Sequence, residues 1–288
     1  MKDFIKSGKI ASQAREFGKT LVKAGAKNVD IADKIEDKIR ELGGKPAFPV
    51  DVSVNYIAAH DAPIWEDERE LKKGDVVKLD IGVHVNGAVT DTACTVEVGT
   101  TKYTKLIKAG EEALQEAIKL AKPGVKIRII GKKIQEVIQK NGFSPIKNLS
   151  GHGVDLFEIH SSPTIPNFDN GDEKTLEEGM KIAIEPFATT GQGKVTEGKP
   201  SGVYALVVKK NVRNIFDRKV LDFIEKNYRS LPFSTRDLIK EFGVRVRFSL
   251  KNLEREGLVE QYNVLPEISK GIVSQAEHTL IVGGEVLT

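Results

Sequence analysis

Apolar side chains recur at helical spacing through the first forty residues. Phe4, Ile10, Phe17 and Leu21 mark one face of residues 3–24. Val29, Ile31, Ile35, Ile39 and Leu42 mark one face of 28–42, a run that Gly43-Gly44 ends. Two amphipathic helices are therefore predicted first. From Phe48 to Val98 the pattern shortens to alternating or continuous apolar runs, PVDVSVNYIAAH, DVVKLDIGVHV and GAVTDTACTVEV, punctuated by Lys73-Gly74 and Asn86-Gly87. Asn-Gly between two such runs signals a hairpin, because both residues tolerate the positive φ of a tight turn. The hairpin puts Asp80 and Asp91 on neighbouring antiparallel strands, where they can face one another. Helical spacing returns over 101–121 and 125–141, on either side of Pro123-Gly124, and the strand-like strings SGHGVDLFEIH and KIAIEPF follow. A helix pair, strands, a helix pair and strands again describe an α+β chain with two similar halves.

Residues 209–264 break that rhythm. The strings NIFDRKVLDFIEKNY, TRDLIKEFG and RVRFSLKNLEREGLVE carry three short helical patterns, a trihelical unit with a following strand that resembles a winged helix. Strand-like alternation resumes in GIVSQAEHTLIVGGEVLT, so 209–264 reads as an inserted subdomain and 1–208 with 265–288 as one domain around it. The insertion holds 13 Lys and Arg against 8 Asp and Glu, a net +5, which leaves the remainder near −2. Contact with DNA or RNA is one reading of that charge. Its basic residues are mixed with acids and no aromatic-flanked basic run appears, so the preferred reading is a cover over one edge of the main domain, and nucleic acid is not an expected partner.

Whole-chain composition narrows the classes further. With 44 basic and 41 acidic residues the net charge is +3, too small for a global electrostatic case for nucleic-acid or membrane binding. A lone cysteine, Cys94, excludes an internal disulfide and a thiolate zinc cluster, and cytoplasm is the expected location. The opening string MKDFIKSGKIASQAREFGKTL is charged throughout, unlike a signal peptide, and nothing later approaches the roughly 18 apolar residues of a membrane span. Abundant Lys and Glu with few Met and Cys fit a thermophile.

The candidate chemistry lies in acids that interrupt apolar runs. Asp80, Asp91, His152, Glu185 and Glu277 each sit in a strand-like segment, where a charge costs several kcal/mol unless it is paired or coordinated. Four carboxylates and one imidazole suit a pair of hard or borderline divalent ions. Surface carboxylates with salt-bridge partners are the alternative for the set. His60 and His160 lie in the same segments as the acids and are candidates for proton transfer near neutral pH. His84 reads as structural, and His278, next to Glu277, points to the opposite face of its strand.

These strings carry a resemblance. FPVDVSVNYIAAH, KLDIGVHVNGAVTDTA, GHGVDLFEIH, AIEPFATTG and QAEHT occur in the order found in type 2 methionine aminopeptidases of the archaeal, catalytic-domain-only kind, within the pita-bread metallopeptidases. The insertion before Glu277 is what marks type 2. The resemblance covers essentially the whole chain and implies a pita-bread fold, an α+β sandwich with pseudo-twofold halves. It implies two divalent metal ions (Mn, Fe, Co or Zn), with Asp80 on the first, Asp91 and Glu277 bridging, and His152 and Glu185 on the second. The implied reaction removes the initiator methionine by attack of a metal-bridged hydroxide on the first peptide carbonyl. Glu185 would take the water's proton, His160 would stabilise the oxyanion, and His60 would contact the substrate or protonate the leaving amine. Phe48 and Ile159 are candidate walls of the methionine pocket, with ordinary core as the alternative. The match is loosest before Glu277, where Tyr262 is a candidate cleft aromatic. The implied substrate is a peptide or nascent-chain N-terminus, the ribosome is a candidate partner, and a monomer is expected. Two other classes stay open: a non-catalytic pita-bread protein associated with RNA or ribosomes, and an Xaa-Pro peptidase.

Overall fold

The predicted apolar stripes are buried. In the computed structural model, which describes residues 1–288, α1 (Lys2–Leu21) and α2 (Asn28–Glu41) pack on one face of the hairpin Val76–Val85 and Ala88–Glu97. α1 buries small residues, Gly8, Ala11, Ala14 and Gly18. A Cβ on Gly8 would stand 2.3 Å from the Leu287 carbonyl oxygen, so glycine is needed for this close approach. Val77, Leu79, Ile81 and Val83 join Ile31, Ile35 and Ile39 of α2 in one core, each such side chain contributing about 1.5–3 kcal/mol by leaving water. Strand alternation sends Lys78, Asp80 and Gly82 to the other face.

The second half repeats the plan. α3 (Thr104–Leu120) and α4 (Ile127–Lys140) cover the strands Ser150–Asp155, Glu158–Pro166 and Lys181–Ile184, and Ile127, Ile130, Ile134 and Ile138 of α4 meet Ile182 and Ile184 in a second core. The predicted echo extends to detail. α2 and α4 are each followed by a glycine at φ +85, Gly43 and Gly142, and the residues preceding them, Lys27 and Lys126, form matching isolated bridges to Glu70 and Thr175.

The halves share one sheet, in the order Lys45–Pro46, Val76–Val85, Ala88–Glu97, Glu277–Ile281, Lys181–Ile184, Ser150–Asp155, Glu158–Pro166, with Asp51–Val54 also paired to Val76–Val85. The strand Glu277–Ile281 pairs antiparallel with a strand of each half and so closes the sheet at its centre. The hairpin register refines the expectation for its two acids. Asp80 is opposite Ala93 and Asp91 is opposite Gly82, so the carboxylates are diagonal neighbours on one face rather than a direct pair.

Residues 215–255 form the three predicted helices, α5 (Ile215–Asn227), α6 (Thr235–Phe242) and α7 (Val246–Arg255), around their own core of Val220, Ile224, Leu238, Leu250 and Leu253. Asn214 and Ser234 cap α5 and α6 through their side chains. A three-stranded sheet completes the unit in the order Phe233–Ser234, Pro200–Leu206, Val259–Asn263. Its middle strand precedes residue 209 in the chain. No helix is long and apolar enough to cross a membrane.

Candidate metal centre and substrate cleft

The five predicted ligands come from four places on the shared sheet. Asp80 and Asp91 stand on the first hairpin, His152 on the strand Ser150–Asp155, Glu185 directly after Lys181–Ile184, and Glu277 at the start of the central strand. The glycines around His152 have a physical reason. A Cβ on Gly151 would lie 2.3 Å from the Ala183 carbonyl oxygen, and one on Gly153 would lie 2.2 Å from that of Ser162. The histidine strand therefore threads a gap that only glycine backbone passes.

The structure brings all five together. Ligand atoms of Asp91, His152 and Glu277 lie within 4.8 Å of one another. His152 Nε2 is 3.7 Å from Asp91 and 3.8 Å from Glu185. Its Nδ1 is 3.1 Å from the Gly153 carbonyl oxygen, to which it can donate, leaving the Nε2 lone pair toward the acids. Asp80 joins through Gln275, whose Nε2 donates to Asp80 at 2.9 Å, Glu185 at 3.3 Å and Glu277 at 3.4 Å.

Electrostatics say what such a cluster lacks. Burial, followed by the neighbouring carboxylates, holds Asp91, Glu185 and Glu277 well above the usual carboxylate range, and burial raises Asp80 to about 6. Burial and the neighbouring His160 push His152 down to about 3, which keeps its imidazole neutral. Asp80 Oδ1, Asp91 Oδ1 and Glu277 Oε1 are buried with no hydrogen-bond partner. Buried acceptors without donors are rare in folded proteins. Oxygen donors converging with one neutral imidazole fit divalent cations, which supply the missing positive charge.

The cluster forms one wall of a cleft of about 330 Å³. His160 stands edge-on to His152, with ring centroids 4.6 Å apart. His60, just past the strand Ile57–Ala59, packs edge-on to Tyr262 at 5.5 Å and places Nδ1 3.3 Å from the Asn263 carbonyl oxygen. Burial lowers its pKa. Phe48, Ile159 and Tyr262 line the same cleft. His84 instead accepts the Gly87 N–H beside Phe157, and His278 meets Arg15 and Thr288 on the helix side of the sheet, as expected for both.

Two neighbours of these groups were not singled out from the sequence. Gln275 lies two residues before Glu277 inside the QAEHT string, and that spacing was its only signal. Asp51 is buried, lines the cleft, and accepts the His60 N–H through Oδ2 at 2.8 Å. His60 sits at φ +62, a left-handed conformation uncommon outside glycine, and this hydrogen bond helps hold it there.

Comparison with known proteins matches this geometry. The model of metallopeptidase family M24 covers residues 2–246. A methionine aminopeptidase from Pyrococcus horikoshii is 44% identical over 286 residues, 99% of this chain and 97% of that protein. The crystal structure of a methionine aminopeptidase from Thermotoga maritima superimposes with a TM-score of 0.72 at 26% identity, covering 100% of this chain and 95% of that one. A thermophilic Arx1 gives a TM-score of 0.85 at 18% identity, covering 97% and 87%, which establishes likeness of fold alone. The α+β architecture with its pseudo-twofold halves is thus the pita-bread fold. Relatives matched end to end agree with a cleft that gathers acids and histidines, and the chain belongs to metallopeptidase family M24, among the type 2 methionine aminopeptidases.

Proposed function

We propose that this cleft hydrolyses the first peptide bond of chains that begin with methionine. The carrying observation is the convergence of Asp80, Asp91, His152, Glu185 and Glu277 at a cleft that His60, His160, Phe48 and Ile159 also line. On this reading Asp80, Asp91, His152, Glu185 and Glu277 would hold a pair of divalent cations; manganese, iron, cobalt and zinc all suit the donor set. Such ions, when bound, polarise a carbonyl and lower the pKa of water to near neutrality. The chain's own groups do the rest. Glu185 accepts the proton from the attacking water, and His160 donates to the oxygen that gains negative charge. His60, whose backbone N–H Asp51 holds, contacts the substrate amide or relays to the leaving amine the proton that Glu185 has taken. Phe48 and Ile159 enclose the methionine side chain.

The division into a catalytic body, 1–208 with 265–288, and an inserted unit, 209–264, belongs to the same proposal, with the strand Pro200–Leu206 as the body's link into the unit's sheet. So do a monomeric state, a cytoplasmic location and a nascent-chain substrate presented near the ribosome. The test is to load the purified protein with each metal and assay it on Met-Ala-Ser and Ala-Pro peptides. Methionine release from the first alone supports the proposal. Cleavage of Ala-Pro would favour the Xaa-Pro reading, and no cleavage with any metal would favour a non-catalytic binding protein.

A further inference from the structure

The inserted unit supplies part of the cleft as well as covering it. Pro232 and Tyr262 of that unit line the cleft together with Phe48 and His60 of the body, Tyr262 edge-on to His60. One buried ion pair bonds to the backbone near Phe48 and His60 and lies close in sequence to Pro232. Arg236, in the first turn of α6, places Nη2 2.5 Å from Glu36 Oε1 of α2, and both side chains are 1% exposed. Arg236 also donates through Nη1 to the Pro63 carbonyl oxygen at 2.9 Å, three residues past His60. The same Glu36 oxygen accepts the Val50 N–H at 3.3 Å, two residues past Phe48. Arg236 itself lies four residues after Pro232.

Stability alone does not account for such a pair. Withdrawing two charges from water is costly, and well-packed apolar residues commonly replace a buried pair without loss of stability. What apolar residues do not replace are its bonds to the backbone of two separate cleft walls. We propose that Glu36 and Arg236 are positioning residues. They fix the spacing of Phe48, His60 and the inserted unit, and so act on the methionyl peptide without touching it. This rests on the aminopeptidase reading given above.

The experiment separates geometry from folding. The double variant Glu36→Leu/Arg236→Met keeps the pair's site filled with apolar side chains while leaving the Val50 N–H and the Pro63 carbonyl without their partners; the partly exposed Arg40 and Asp33, which pair with Glu36 at 3.4 Å and Arg236 at 3.3 Å, turn to solvent. It is expected to fold and to bind the wild-type complement of manganese. Its kcat/KM on Met-Ala-Ser should fall about ten- to a hundredfold, mostly through KM, the scale of loss expected when substrate-positioning groups shift. Glu36→Gln keeps an acceptor in place for Val50 and Arg236, and is expected to melt lower yet retain a KM near the wild-type value. A folded, metal-replete double variant with wild-type KM overturns the proposal. Should the double variant fail to fold, Glu36→Asp serves instead. It keeps the charge but withdraws the carboxylate by one methylene, and an unchanged KM there overturns the proposal equally. The chain's one tryptophan, Trp65, lies two residues past Pro63 and packs on the inserted unit's core, so its emission reads the seat of that unit without any turnover. If the wild-type protein releases no methionine, the function reading fails while this emission still decides the pair. A red shift in the double variant supports the positioning role, and an unmoved spectrum overturns it.

Discussion

Gly82 offers the sharpest test of the cleft's apolar wall. It sits on the first hairpin opposite Asp91, two residues from Asp80, and carries no ligand. A Cβ built on it would lie 2.1 Å from Cε1 and 2.3 Å from Cδ1 of Phe48. Ordinary contact begins near 3.4 Å, so in Gly82→Ala the ring must retreat by about 1.3 Å. Phe48 packs against the core cluster that holds Ala47, Val89 and Ile159 and lines the cleft, which leaves the cleft as its direction of escape. Overpacking of this kind costs about 1–3 kcal/mol of stability. A displacement of about an ångström in a substrate-positioning wall costs up to about a hundredfold in rate. The expected result is a modest fall in melting temperature, unchanged metal content, and a KM on Met-Ala-Ser raised about tenfold or more, which Phe48→Leu in the same chain partly reverses by making room. A lowered melting temperature with wild-type KM would show that Phe48 is ordinary core. Loss of bound metal would show that the strand moved rather than the ring.

Three further outcomes follow from the same geometry. Asp91→Ala removes a carboxylate that lies within 4.8 Å of ligand-capable atoms of His152 and Glu277, and metal analysis should find bound metal lost together with nearly all turnover; retention of full metal occupancy would refute a shared ligand. His60→Ala should lower kcat with metal content near normal, and Asp51→Ala should reproduce part of that loss by releasing the left-handed backbone at His60, a conformation that costs about 1–3 kcal/mol to hold. The double variant should then be little worse than His60→Ala alone, and additive losses would show that Asp51 acts elsewhere. Burial pushes the Cys94 thiol up to about 12, so the native protein should resist alkylation at pH 8 and react only on unfolding; rapid labelling of the folded chain would refute that burial.

The parts of this molecule that periodicity could read are the ones set by neighbours along the chain. Isoleucines four apart in α2 and α4 declare their buried faces, and Asn86-Gly87 declares its turn, because helix and hairpin geometry are local. The five candidate ligands are legible for a different reason: an acid inside an apolar strand needs a partner, and four such acids with one imidazole, none with an obvious partner, imply a common one. The diagonal offset of Asp80 and Asp91 was not legible, since it depends on pairing register, and a strand's alternation fixes only the face. Glu36 is more instructive. It lies four residues after Ala32 and three before Ile39, in line with the buried face of α2, yet its surroundings in the sequence, IEDKIRE, read as a solvated edge. Its partner is 200 residues away, on a helix whose own charges look equally exposed. A charge is resolved as buried or solvated only when its long-range partner is known. The contacts tying the inserted unit to the cleft are of that kind, and the resemblance to known aminopeptidases is also loosest there, around Tyr262. The candidate metal ligands of such a chain are therefore readable from its strings, while the shape of the pocket beside them depends on long-range contacts that no string displays.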